Sequence, residues 1–191
     1  MANPVHSFVR NPVPINPTDQ EFLYKFFLAN EKRFVPSASS YVYSRKELQL
    51  RDRVNLKTGK VTPTIHSYLN GYEQATAILD KYQFGFKSAL CLWYSRDRVG
   101  KMQNMMGFHS DHSVYARGAV MLNLIGQVNF QLKPDWKNIQ SYAIAPGEVV
   151  KFDNKAPHAV DWHPDYRGRD RMCVVLFNLK PLPKHNQLAL F

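Results

Sequence analysis

The rhythm of apolar and polar positions changes near residue 88. Before it, two stretches carry helical spacing. Phe22, Leu23, Phe26 and Phe27 fall on one face behind Thr18, whose spacing to Glu21 matches a capping box, and predict a helix over about 18–32. Asn70 with Glu73, then Tyr72, Ala75, Ile78, Leu79 and Tyr82, with Gly85 beyond, predict a second helix. From Ser88 onward short apolar runs are punctuated by Gly, Pro and Asn, at 89–94, 103–109, 119–124, 128–132, 142–145, 148–152, 158–162 and 172–179. Eight short strands at such spacing predict an α+β, mainly β fold: a jelly roll, or double-stranded β-helix, with both helices packed on a sheet.

At 191 residues the chain is read as one cupin-like domain in three parts. Residues 1–87 hold a Pro-rich arm (1–16), the helices and a basic loop; 88–180 form the β-core; 181–191 are a tail. Cys91 and Cys173 each lie within an apolar run and are expected to be buried thiols of a reducing compartment. No run has membrane-spanning length and the first residues lack signal-peptide character, so an intracellular monomer is expected, cytoplasmic or nuclear, of a kind a phage or virus could encode.

The formal net charge of +10 adds a hint about partners, because such an excess attracts polyanions, most often nucleic acid. The basic residues cluster. Arg45, Lys46, Arg51 and Arg53 lie in a stretch with Thr58-Gly59 at its turn, read as an exposed hairpin or loop near tyrosines that could grip phosphates and stack bases. Arg96, Arg98 and Lys101 precede the second core strand, and Arg167 and Arg169 precede the last. Both of these loops are expected to flank the metal described next.

Candidate chemistry centres on Gly107-Phe108-His109-Ser110-Asp111-His112. In a strand, His109 and Asp111 point to the same face and could hold one ion, while His112 faces away. His158 opens the seventh strand, which neighbours the second in such a barrel, and would supply a third ligand. Two histidines and a carboxylate with open positions suit a non-haem Fe(II) oxygenase better than a closed structural zinc site. His163, before Pro164, ranks below His158 because that dipeptide reads as a turn.

Over about residues 88–180 the chain resembles the 2-oxoglutarate and Fe(II)-dependent oxygenase superfamily. The resemblance rests on His109-Ser110-Asp111, on Pro146 to Asp153 leading to Pro157-His158-Ala159-Val160, and on Arg171 heading the last apolar run. It implies Fe(II) on His109, Asp111 and His158, O2 as co-substrate, and 2-oxoglutarate with its far carboxylate on Arg171, whose planar fork matches a carboxylate. Tyr94 and Asn123 stand where related enzymes present polar groups to 2-oxoglutarate.

Two nucleic-acid branches resemble different parts of the chain. Leu122 to Gly126 with Asn129 to Leu132 look like strands of AlkB-like demethylases, although Phe177 stands where those carry a second arginine. His158 to Val160, the polar loop 165–169, and Arg171 to Asn178 look like the TET/JBP family, which oxidises the 5-methyl group of DNA pyrimidines. The preferred expectation is therefore methyl oxidation on a base, with DNA as the partner. The competitors are AlkB-like N-demethylation, a prolyl hydroxylase-like enzyme acting on protein or a small molecule, and a non-enzymatic basic nucleic-acid-binding jelly roll.

Overall fold

The computed structural model describes residues 9–10, 14–42, 45–55, 58–63, 68–95 and 104–180. The expected strands all form, as β6 (Ser88–Ser95), β7 (Asn104–His109), β8 (Ala119–Ile125), β9 (Val128–Leu132), β10 (Gln140–Ile144), β11 (Glu148–Phe152), β12 (His158–Trp162) and β13 (Asp170–Phe177). They divide between two antiparallel sheets, β11-β8-β13-β6 and β10-β9-β12-β7, and successive strands change sheet except at the β9–β10 hairpin. This is the double-stranded β-helix. Because consecutive strands run in opposite directions along the barrel, the turns after β7, β9 and β11 lie at one end, and those after β8, β10 and β12 at the other.

The larger sheet is extended at both edges. β1 (Val9–Arg10) pairs with β11, while β3 (Arg45–Arg51) pairs with β6 and is followed at the edge by β2 (Val35–Pro36). Here the expected exposed basic loop is corrected, since Arg45 to Arg51 is a strand. Leu48 and Leu50, buried on one face, pack towards the helices, and the register Arg45↔Tyr94 carries Arg45 onto the barrel face. The anticipated hairpin survives further on, where β4 (Arg53–Val54) pairs with β5 (Val61–Thr62).

Helix α1 (Pro17–Ala29) starts one step earlier than the capping-box reading. Asn16, not Thr18, is the N-cap, its side-chain oxygen accepting from the Thr18 backbone N–H at 2.9 Å, and Pro17 takes the first turn, where a missing N–H costs nothing. Helix α2 (Tyr72–Tyr82) starts after Gly71 at φ 79°, a left-handed position that glycine adopts without strain, rather than from an Asn70 cap. Leu23, Phe26, Phe27, Ala75, Ile78 and Leu79 bury one side of this pair against Leu48, Leu50, Cys91, Leu122, Val174 and Leu176. Lys81 donates to Asp19 at 2.9 Å and ties the two helices together.

A second core fills the barrel, with Leu92, Tyr94, Met121, Phe130, Phe152, Val160, Cys173 and Val175 among its members. The helices thus brace the larger sheet from outside. No helix among the described residues is long and apolar enough to cross a membrane.

Candidate metal centre and its pocket

His109 ends β7 and His158 begins β12, and the two are directly paired across the smaller sheet. Their ring centroids lie 4.3 Å apart. Between His109 and Val160 the ladder is irregular: His109 pairs with His158 but Met106 with Val160, so three steps on β7 oppose two on β12. Such a bulge re-aims side chains, and it lets Met106 and His109 both line the interior. Asp111 lies just past the strand, so simple alternation is not what places it. Its backbone N–H donates to the Asn154 carbonyl at 2.9 Å, anchoring it to the β11–β12 turn.

Asp111 Oδ1 stands 3.7 Å from His109 Nε2 and 3.8 Å from His158 Nε2, and one ligand atom from each residue lies within 4.8 Å of the others. Each imidazole has its Nδ1 3.0 Å from the carbonyl two residues earlier, Gly107 for His109 and Ala156 for His158. A carbonyl only accepts, so both Nδ1 atoms carry the proton and both Nε2 lone pairs face the carboxylate. That is the tautomer a metal requires. Asp111 Oδ2 is buried without a hydrogen-bond partner, an orphaned acceptor of the sort a bound cation satisfies. The donor set of two neutral imidazoles and one carboxylate fits Fe(II).

Electrostatics support the same reading. Burial works to raise the Asp111 carboxyl, but His109, His158 and Lys155 beside it outweigh that and hold it below the ordinary carboxylate range. Burial pushes the His158 imidazole down, which keeps it neutral.

The cavity above the triad has a volume of about 340 Å³, and Arg171 and Tyr94 lie on its wall. Arg171 is 1% exposed, yet no described carboxylate pairs with it. Its Nε donates to Asn123 Oδ1 at 3.1 Å, its Nη2 reaches Met121 Sδ at 3.1 Å, and its guanidinium lies 5.3 Å from the Tyr94 ring centre. A buried cation without a counter-charge is costly, and an entering dicarboxylate would supply one. These residues fit the far carboxylate of 2-oxoglutarate.

Asn123 is placed differently from the expectation that it meets 2-oxoglutarate. It is absent from the cavity lining, because its amide donates to the Gly126 and Ala145 carbonyls at 2.6 and 3.0 Å while its oxygen accepts from Arg171. It therefore acts through Arg171.

The basic clusters are dispersed. Arg45 lines the cavity, paired with Glu47 and donating to the Tyr94 hydroxyl at 3.1 Å; burial works to lower its pKa, but Tyr94 and Glu47 outweigh that and raise it. Arg51 is engaged in two bonds to Asp80, and Lys46 lies over the Trp93 ring. Arg53 is exposed on β4. Arg96, Arg98 and Lys101 lie outside the described residues. Arg167 and Arg169 are exposed on the loop after β12, at the barrel end opposite the metal ligands, so that loop does not flank the metal. The distance follows from strand rise, since Trp162 lies four steps along β12 from His158, roughly 13 Å.

Other contributors escaped the sequence reading. Asn154 and Ala156 act through backbone carbonyls, and Lys155 Nζ donates to the carbonyls of Asp111 and His112 at 3.3 and 2.7 Å, fixing the loop that carries the carboxylate ligand. The only visible signal was their position, directly before His158. Tyr41 also lines the mouth, its ring stacked on His109 with centroids 5.7 Å apart.

No model of a known protein family matches the sequence, and no curated protein matches it. Solved structures do match. A Pseudomonas putida prolyl-4-hydroxylase is similar over 92% of this chain and 94% of its own, at 13% identity and TM-score 0.53. A prolyl hydroxylase from Trichoplax adhaerens, solved with a hypoxia inducible factor oxygen degradation domain peptide fragment, is similar over 91% and 84%, at 9% identity and TM-score 0.61. OsALKBH1 is similar over 93% and 100%, at 11% identity and TM-score 0.57. At these identities the likeness is one of fold: the double-stranded β-helix of 2-oxoglutarate and Fe(II) oxygenases, here with a His-Asp-His cluster in its mouth.

Proposed function

We propose that this protein is an Fe(II)- and 2-oxoglutarate-dependent dioxygenase that oxidises a methyl group on a nucleic-acid base, with 5-methylpyrimidine in DNA, as for TET/JBP enzymes, the preferred substrate. The observation that carries the dioxygenase reading is Arg171: a buried guanidinium with no carboxylate partner among the described residues, in the same cavity as His109, Asp111 and His158. A closed structural metal site would need neither the cavity nor the free cation.

When bound, Fe(II) with 2-oxoglutarate supplies oxidation of a C–H bond by O2, coupled to conversion of 2-oxoglutarate to succinate and CO2. The chain's own work is placement. His109 and His158 keep their Nε2 lone pairs available because Gly107 and Ala156 hold the Nδ1 protons. Asn123 fixes Arg171, and the apolar walls of Leu92, Phe130, Phe152 and Val175 exclude water from the co-substrate. Substrate enters past Tyr41 and Ser110.

The nucleic-acid assignment is supported by the net charge of +10 and by the fold shared with OsALKBH1. A second reading, hydroxylation of a peptide, is favoured by the two prolyl hydroxylases, one of them solved with a bound peptide. Anaerobic loading with Fe(II) and 2-oxoglutarate, admission of air, and mass spectrometry of nucleosides from methylated DNA test both. One added oxygen on 5-methylcytosine or thymine supports the proposal. Loss of an N-methyl group moves the assignment to AlkB-like demethylation, and succinate formed only with peptides overturns the nucleic-acid reading.

A further inference from the structure

The β9–β10 hairpin holds an arrangement that neither the barrel nor the metal centre uses. Leu132 on β9 pairs both with Gln140 and with His158, so the hairpin tip, residues 133–139, projects from the end of the barrel that bears the ligands. At its apex Trp136 is 62% exposed and has φ 67°. A left-handed tryptophan is unusual, since such positions favour Gly or Asn, and a large apolar side chain turned to solvent gains nothing from the strain. The conformation is nevertheless built in. Asp135 accepts from the backbone N–H groups of Lys137 and Asn138 at 3.0 and 2.8 Å, and Trp136 N–H donates to the Lys133 carbonyl at 3.1 Å.

Two cations share the hairpin tip with Trp136. Lys133 Nζ lies 4.2 Å from the ring centre of Phe108, the residue before the ligand His109, and Lys137 is exposed beside Trp136. Arg117, Lys155 and Lys180 belong to the same end of the barrel. Of the acids there, Asp111 faces the metal site, Asp135 is turned onto its own loop, and Asp153 is met by Arg117 at 3.4 Å.

From this geometry we infer that the hairpin tip docks a single strand of nucleic acid, with Trp136 stacking a base and Lys133 and Lys137 holding the phosphates beside it. The inference rests on the nucleic-acid reading above and names where the strand is gripped. Exposed aromatic rings interleaved with cations bind single strands in this way with little sequence preference.

The test is fluorescence anisotropy of a labelled single-stranded DNA containing 5-methylcytosine, titrated with the full-length protein. Trp136→Asn suits the left-handed backbone, so its melting temperature should hold or rise while affinity falls roughly 5- to 150-fold, the range of one lost base stack. Lys133→Ala with Lys137→Ala should lower the slope of log affinity against log salt by about 1.4, since each phosphate contact contributes about 0.7 for a single strand. Lys25→Ala with Lys32→Ala, on the helix side, removes equal charge and should leave both affinity and slope near wild type. Wild-type binding that none of these changes alters overturns the inference and leaves the nucleic-acid reading standing. No binding by the wild type, or binding of peptide instead, overturns both, while succinate formation separately judges the dioxygenase.

Discussion

His109 and His158 sit opposite each other on one rung of the smaller sheet, and each gives its Nδ1 proton to the carbonyl two residues before it. The matched bonds leave both Nε2 atoms facing Asp111 before any metal arrives. Preorganisation of this kind makes metal binding a competition with protons. Burial holds His158 below its ordinary 6.5, so below pH 6.5 the unfolded chain binds more protons at this residue than the folded one. The sign follows: its contribution to stability is present above 6.5 and is lost as pH falls through the window down to its lowered folded value. The metal-free protein should therefore lose melting temperature between pH 7.5 and 5.5 more steeply than its His158→Gln variant. Equal slopes would show that His158 is not held neutral.

Gly126 supports Arg171 from behind. It has φ 84°, and a Cβ there would come within 2.9 Å of Arg171 Cβ and of the Asp170 carbonyl oxygen. Gly126→Ala should cost about 2 kcal/mol or more, from the left-handed backbone and the contact together. Because the contact pushes on Arg171, 2-oxoglutarate affinity should fall as well. Denaturant unfolding and calorimetric titration of 2-oxoglutarate onto the Mn(II)-loaded protein read the two effects, and an unchanged melting curve would contradict the first.

Much of this was legible in the chain, for identifiable reasons. Core strands such as β8 and β13 are apolar along nearly their whole length and are bounded by turn residues, so pattern alone located them. His109, Asp111, His158 and Arg171 stood out because their types are rare within apolar runs. β3 was hidden by its charges, which read as solvent-facing, whereas Arg45 is turned inward by its pairing with Glu47 and the Tyr94 hydroxyl. Alternation along a strand is not what sets Asp111 beside the two histidines, since the strand stops at His109 and the Asn154 carbonyl does the placing. Backbone contributions of this kind leave no mark on residue type. Nor could composition reveal that Trp136 is exposed, because an isolated tryptophan in a polar segment is usually packed down.

The two thiols offer a check on the sheet's sidedness. Cys91 lies in the core under the helices and Cys173 in the barrel core, on opposite faces of the larger sheet, so the pair is free and cannot bridge. Burial raises both above their ordinary range, so thiolate is scarce even at pH 8. Iodoacetamide should label the folded protein slowly at pH 8 and modify both residues once it is unfolded in guanidinium, as counted by mass spectrometry. Rapid labelling of Cys91 in the folded state would mean that the helix layer opens readily.

Arg171→Met separates stability from binding most cleanly. The wild-type guanidinium is buried with one amide oxygen and two sulfur-containing neighbours as its polar company, Asn123, Met121 and Cys173. An apolar side chain of similar length removes an uncompensated buried charge, so the metal-free variant should melt at the wild-type temperature or above. Its 2-oxoglutarate affinity should fall at least about 30-fold, because removing one partner of a buried carboxylate–guanidinium pair costs about 2–5 kcal/mol. Binding of Mn(II) alone should persist, since His109, Asp111 and His158 are untouched. Asn123→Ala gives the opposite stability result: it strips the Gly126 and Ala145 carbonyls and Arg171 Nε of their shared partner and should cost at least about 2 kcal/mol. If Arg171→Met instead unfolds the protein while keeping 2-oxoglutarate affinity, Arg171 is a structural residue and the co-substrate carboxylate binds elsewhere.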